Sequence, residues 1–175
     1  ESTLAFGKAE ELPPRLTRFS LRMLVEDILE GEAMGGAMTA GAAEITCLID
    51  VPPTLTIRAD AEQLYRVLAN LMRNARQALE AIGQGGTIEV SGGETAADWW
   101  IRVGDTGPGL PPRAREHLFT AFQGGARKGG SGLGLAIAAE LVRGHGGVLE
   151  LLRSDESGTE FGIRLPKGGG LGEVT

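Results

Sequence analysis

Three groups of residues in this sequence have the types and spacing for chemistry. The first is a loop at residues 123–131 holding four glycines together with Arg127 and Lys128. An aromatic anchor, Phe119 and Phe122, precedes it, and an apolar helix follows, opening at Gly132-Leu133-Gly134-Leu135 and running to about Gly144. Glycines let the backbone approach a ligand closely, and a helix start presents unpaired N–H groups with partial positive charge. Loop and helix start together make a phosphate cradle.

The second group is Asn70 and Asn74, one turn apart on the longest expected helix, residues 61–82. Asn is a poor helix-interior residue because its amide competes with the backbone. A pair at this spacing is either an exposed polar stripe or a use of the amide oxygens, which can ligate a hard cation such as Mg²⁺. The third group is Asp105, which has the same parity as Trp99, Ile101 and Val103 on the strand beginning at Asp98. A carboxylate that continues an apolar strand face sits at the rim of the core, where ligands bind. The turn after it, DTGPGL at 105–110, has glycines at 107 and 109. Read alone, it is equally an ordinary Asp-Gly turn.

The elements that position these groups follow from periodicity. Apolar positions 64, 67, 68, 71, 75, 78, 79 and 82 keep helical spacing, with Asp60 as the cap. Ser20 caps an earlier helix with Leu21, Leu24, Val25, Ile28 and Leu29 on one face, after a short strand beginning at Phe19. Strands are expected at 44–50, 55–58, 87–91, 98–103, 148–152 and 159–165, with hairpin loops at 92–97 and 154–158. Residues 31–43, rich in Gly, Ala and Met, read as a weak helix continuation or a mobile loop. Pro111-Pro112 open a short helix containing His117, which is expected at the surface or rim.

Composition sets the limits. The chain has 175 residues, is 42% hydrophobic and carries net charge −6, enough for one domain with a real core. An acidic chain argues against a nucleic-acid binder. The lone Cys47 excludes an internal disulfide framework and reads as a core or sheet residue. His117 and His145 form no recognisable metal spacing with it. No stretch of these residues reads as a signal peptide, and there is no apolar run of about 18 residues. The chain starts at Glu1, which suggests a fragment of something longer. Residues 1–16 read as the end of an upstream helix broken at Pro13-Pro14, or equally as a disordered start; 17–167 form the domain, and 168–175 a flexible tail.

Four motifs in order carry a family resemblance: NLMRNA at 70–75, DTGPGL at 105–110, FTAF at 119–122 with GSGLGLAI at 130–137, and GTEFGIRLP at 158–166. They resemble the N box, first glycine box, F box and second glycine box of sensor histidine kinases, within the group that includes gyrase, heat-shock chaperones and MutL. The resemblance spans about residues 19–166.

It implies an α/β (α+β) two-layer sandwich, in which a mixed, mostly antiparallel sheet of about five strands packs on three helices under a mobile ATP lid. The implied ligand is ATP with Mg²⁺. Asp105 would accept from the adenine amine, Gly107, Gly109 and Leu110 would line the base, and Thr159 would join through water. Asn74, helped by Asn70, would ligate Mg²⁺. Gly130, Ser131, Gly132, Leu133 and Gly134 would hold the phosphates, with Arg73, Arg127 and Lys128 as candidate cations; Arg73 is equally well read as solvated. Phe122 would hinge the lid, residues 123–131, which should be weakly ordered without nucleotide and better ordered with a γ-phosphate bound.

Many such kinases have Lys where this chain has Gln77, a departure that leaves more charge neutralisation to Arg127 and Lys128. The related ATPases have a Glu where this chain has Asn70. Asn cannot take a proton at neutral pH, so the resemblance implies phosphoryl transfer rather than hydrolysis.

The implied acceptor is a His on an upstream dimerisation hairpin absent from this chain, in a homodimeric, full-length kinase that signals to a response regulator. The chain alone is therefore expected to bind ATP without autophosphorylating. The domain itself should be cytoplasmic and without membrane contact, whether or not the full-length protein is membrane-anchored. Two other readings stay open: a non-catalytic, nucleotide-gated interaction module or degenerate phosphotransfer protein of the same fold, and a switch-type serine kinase.

Overall fold

Two capped helices and a hairpin-rich sheet set the architecture. The computed structural model describes residues 12–36, 38–40, 43–116, 118–119 and 133–168. In chain order the elements are β1 (Thr17–Ser20), α1 (Leu21–Gly31), β2 (Met38–Ala40), β3 (Ala43–Asp50), β4 (Thr56–Ala59) and α2 (Ala61–Ile82). They continue with β5 (Gly86–Glu94), β6 (Asp98–Asp105), α3 (Pro112–Glu116), α4 (Leu133–Gly144), β7 (Val148–Asp155) and β8 (Gly158–Pro166).

The helix ends lie where local chemistry puts them. The Ser20 hydroxyl accepts from Met23 N at 3.2 Å, and the Asp60 carboxylate accepts from Gln63 N at 3.0 Å. At the other end of α2, Gly83 takes φ 67° and its N–H reaches back to the carbonyls of Leu79 and Glu80.

The main sheet has the order β2-β3-β5-β6-β8-β7. Among the described residues only β3 and β5 pair in parallel; the other neighbours are antiparallel. β1 and β4 form a separate antiparallel pair. The inner face of the sheet (Ile88, Val90, Trp99, Ile101, Val103, Phe161, Ile163, Leu165) is buried beneath the helices. Leu24, Val25 and Ile28 of α1, Leu64, Leu68, Leu71, Met72 and Leu79 of α2, and Ala138, Leu141 and Val142 of α4 complete the core. This is the expected two-layer sandwich with its mixed, mostly antiparallel sheet.

The local departures from expectation have physical causes. Residues 31–43 include a strand, β2, which exists only through pairing with β3. Gly92 and Gly93, expected in a loop, continue β5 opposite Ile101 and Trp100. A Cβ on Gly93 would stand 2.5 Å from the Trp100 ring, so the indole covers the position a side chain would need. Ser154 and Asp155, likewise expected in a loop, extend β7 and leave a two-residue turn, Glu156-Ser157. Cys47 is half-buried on β3, and burial pushes its thiol up to about 11, which suits a sheet residue and not a nucleophile. Among the described residues no helix is long and apolar enough to cross a membrane.

Candidate functional site

β6 delivers Asp105 to the end of the sheet. Its alternation buries Trp99, Ile101 and Val103, and at the last strand position the same parity buries a carboxylate, 7% exposed. Asp105 Oδ1 accepts from Gly107 N at 2.7 Å, which folds the turn back on the strand. Thr159, directly opposite in the β6–β8 register, is also buried. The turn is fastened at two more points: Thr106 Oγ1 accepts from Thr87 N at 3.0 Å, and Leu110 N donates to Ser154 Oγ at 2.8 Å. Ser154 Oγ lies 3.3 Å from Thr159 Oγ1, so Leu110, Ser154 and Thr159 form one hydrogen-bonded chain, and Thr159 is the register partner of Asp105.

Ser154 was not visible as a site residue, because a serine near a hairpin has no pattern that points across the sheet. Gly109, at φ 88°, has no room for a side chain, since a Cβ there would meet the Asp155 carbonyl at 2.4 Å.

α2 and α4 run antiparallel and bring the remaining described candidates together. Gly134, in the first turn of α4, packs on Asn70, and a Cβ there would lie 2.9 Å from Asn70 Oδ1. Asn70 and Asn74 are half-buried and Gln77 is exposed. Among the described residues nothing hydrogen-bonds the Asn74 amide, whereas Asn70 Oδ1 accepts from Arg73 Nη2 at 3.2 Å. Arg73 also meets Glu32 Oε2 at 3.0 Å. An uncommitted, half-buried amide oxygen is a chemically suitable ligand for a hard cation. Among the described residues no group of three His, Cys, Asp or Glu is arranged to hold a metal.

Phe119 is placed as an anchor: its ring stands edge-on to Phe161, with centroids 6.1 Å apart. Phe122, Arg127, Lys128, Gly130, Ser131 and Gly132, and with them the expected lid, lie outside the described residues, as does His117. Of Leu133 only the backbone is described, at the helix start.

His145, just beyond α4, has a structural role. Its Nδ1 faces the Leu141 carbonyl at 2.9 Å and its Nε2 accepts from Asp60 N at 3.0 Å. The neutral ring with its proton on Nδ1 satisfies both. Asp60 also binds the entering chain, its Oδ2 accepting from Arg15 N at 2.8 Å, while Gln63 Nε2 donates to the Leu12 carbonyl at 2.9 Å. Burial works against the Asp60 charge, but the N–H groups of Arg15, Gln63 and Glu62 hold its carboxyl below the ordinary 3.8.

Comparison with known proteins agrees with this geometry. Residues 59–169 match the model of the histidine kinase-, DNA gyrase B- and HSP90-like ATPase family. The chain is 42% identical over 122 residues to the C4-dicarboxylate transport sensor protein DctB of Rhizobium meliloti, a match covering 68% of this chain and 19% of the relative. It thus spans about a fifth of the length of that relative. Among solved structures, the catalytic domain of histidine kinase ThkA superposes with TM-score 0.69 at 25% identity, over 87% of this chain and 98% of that one. Full-length ShkA, solved in complex with AMPPNP, superposes with TM-score 0.70 at 28% identity, over 95% of this chain and 34% of that one.

Proposed function

The chain belongs to the histidine kinase-, DNA gyrase B- and HSP90-like ATPase family, and on that premise we propose that it is the ATP-binding catalytic domain of a two-component sensor histidine kinase. The reaction is transfer of the γ-phosphoryl group of ATP to a histidine on a dimerisation hairpin outside this chain, for relay to a response regulator. The observation that carries the reading is the buried Asp105 carboxylate at the end of β6, beside Thr159 and near the helix that bears Asn70 and Asn74.

Asp105 accepts from the adenine exocyclic amine, because a carboxylate only accepts and that amine only donates. Gly107, Gly109 and Leu110 bring the backbone against the base, and Thr159 and Ser154 flank it. Gly132, Leu133 and Gly134 offer backbone N–H groups to the phosphates, aided by Gly130, Ser131, Arg127 and Lys128, with Phe122 as the lid hinge. Asn74 holds the cation; bound Mg²⁺ supplies shielding of the phosphate charge. Asn70 stands where the related ATPases have a Glu, so no carboxylate base activates water from that position, and transfer is favoured over hydrolysis.

His145 is engaged on both ring nitrogens, which suits a structural residue rather than the acceptor. The full-length protein is a homodimer by this reading, with this domain in the cytoplasm and free of nucleic acid. DctB is a sensor protein by name and ShkA was solved with AMPPNP, and both support the reading.

The test joins the chain to its proposed helical hairpin and supplies γ-labelled ATP with Mg²⁺. Acid-labile, base-stable phosphate on the hairpin, and none on the isolated chain, is the expected result. Acid-stable label would favour a serine kinase. Nucleotide binding without transfer would favour an interaction module.

A further inference from the structure

We infer that Glu32 and Arg73 act as a positioning pair for the phosphate end of the site, working through the side chain of Asn70. The inference rests on the nucleotide reading above and gives Arg73, read from the sequence as either a phosphate cation or a solvated side chain, a different task. A guanidinium has donors only, so the Asn70 atom that faces Arg73 Nη2 at 3.2 Å must be the amide oxygen. That oxygen is the atom against which Gly134 packs; a Cβ there would lie 2.9 Å from it and push the amide aside. Arg73 therefore sets which way the Asn70 amide points at the junction of α2 with the first turn of α4. A cation sharing an oxygen already held by a guanidinium would meet like charge at close range. The metal accordingly falls to Asn74, and Asn70 serves as an oriented amide.

The other side of Arg73 is committed as well. Its Nη1 meets Glu32 Oε2 at 3.0 Å, with the two side chains only 38% and 20% exposed, and the pair neutralises the charge that a phosphate contact would use. Glu32 is not placed there by chance of a flexible loop. It follows directly on α1, its carbonyl accepts from Arg76 Nη1 at 2.9 Å, and its N–H returns to the Ile28 carbonyl at 2.8 Å. The next residue, Ala33, takes φ 59°, a conformation an L-residue adopts only when its surroundings impose it. That turn carries the chain to the buried Met34, whose N–H donates to the Leu29 carbonyl at 2.7 Å. A strained turn pinned on both sides thus presents one carboxylate to one guanidinium.

The test compares Arg73→Ala, Glu32→Gln and the reversed pair Glu32→Arg with Arg73→Glu. ATP–Mg²⁺ affinity is read by calorimetry, and kcat and KM for transfer by supplying the hairpin. The expected result is a fall in kcat of about tenfold or more for both single variants, with ATP affinity within about threefold of wild type. The reversed pair should recover melting temperature but not kcat, because a carboxylate at position 73 cannot donate to Asn70. Independently of transfer, the side-chain amide resonances of Asn70, but not those of Asn74, should move in Arg73→Ala without nucleotide.

Loss of ATP affinity by about tenfold in Arg73→Ala, unaccompanied in Glu32→Gln, would make Arg73 a phosphate ligand and overturn the inference. So would an unmoved Asn70 amide, or full recovery of kcat in the reversed pair. Failure of the wild-type chain to bind ATP is a different outcome, and counts against the nucleotide reading itself.

Discussion

The two ends of the α2–α4 pair are built from the same helices and differ in every other respect. At one end, Asp60 and His145 close on each other, and Arg15, Leu12 and Gln63 tie in the entering chain. Those polar groups meet protein partners there, as stability requires of half-buried amides and carboxylates. At the other end, Asn70 meets Gly134 so closely that an added methyl group would displace its amide, and the Asn74 amide has no partner among the described residues. Clasped and open ends on one pair of helices separate two duties: the first holds the helices in register, and the second is the end that the proposed function assigns to the nucleotide.

Substitutions should respect that division. The largest effect is expected at Asp105, on the open side. Asp105→Ala removes an acceptor for a charge-assisted hydrogen bond, worth about 1.5–3 kcal/mol, so ATP affinity measured by calorimetry should fall about 10- to 150-fold. Asn74→Ala should abolish the Mg²⁺ dependence of ATP binding while leaving the melting temperature near wild type. Gly134→Ala comes next: its Cβ would press on Asn70 Oδ1 at 2.9 Å, and kcat for transfer should fall several-fold, with ATP affinity within about threefold and little change in stability.

At the clasped end the pattern should invert. Asp60→Ala removes a helix cap and should cost about 1–2 kcal/mol in urea unfolding, or about 2–8 °C in melting temperature, with ATP affinity unchanged.

The smallest effect is on acid stability. The Asp60 carboxyl is held below its ordinary 3.8 in the fold, so the folded chain binds that proton less readily than the unfolded chain. Its stabilisation is complete above 3.8 and is lost as pH falls through the lower, folded value. Between about pH 5 and pH 3, wild type should therefore lose slightly more stability in urea than Asp60→Ala does.

The division was only half legible in the sequence. α2 could be read because its apolar period and both caps, Asp60 and Gly83, are local features, and Asp105 because strand parity carries it to the buried face. The glycines at 107, 109 and 134 announced close approaches without naming what approaches: here Asp105, Asp155 and Asn70. What stayed hidden depends on residues far apart in the chain. β2 needs β3, the strand conformation of Gly93 is sheltered by Trp100, and Ser154 meets Leu110 across 44 residues. His145 reaches Asp60 across 85 residues and Glu32 reaches Arg73 from the end of another helix, so neither contact has a sequence signature.

The most direct test of the account is a parallel titration of ATP with Mg²⁺ into the wild-type chain, Asp105→Ala and Asp60→Ala. The account predicts saturable one-to-one binding by wild type, loss in Asp105→Ala, and wild-type affinity in Asp60→Ala despite its lower stability. Absence of binding to the wild-type chain, or equal loss in both variants, would contradict it.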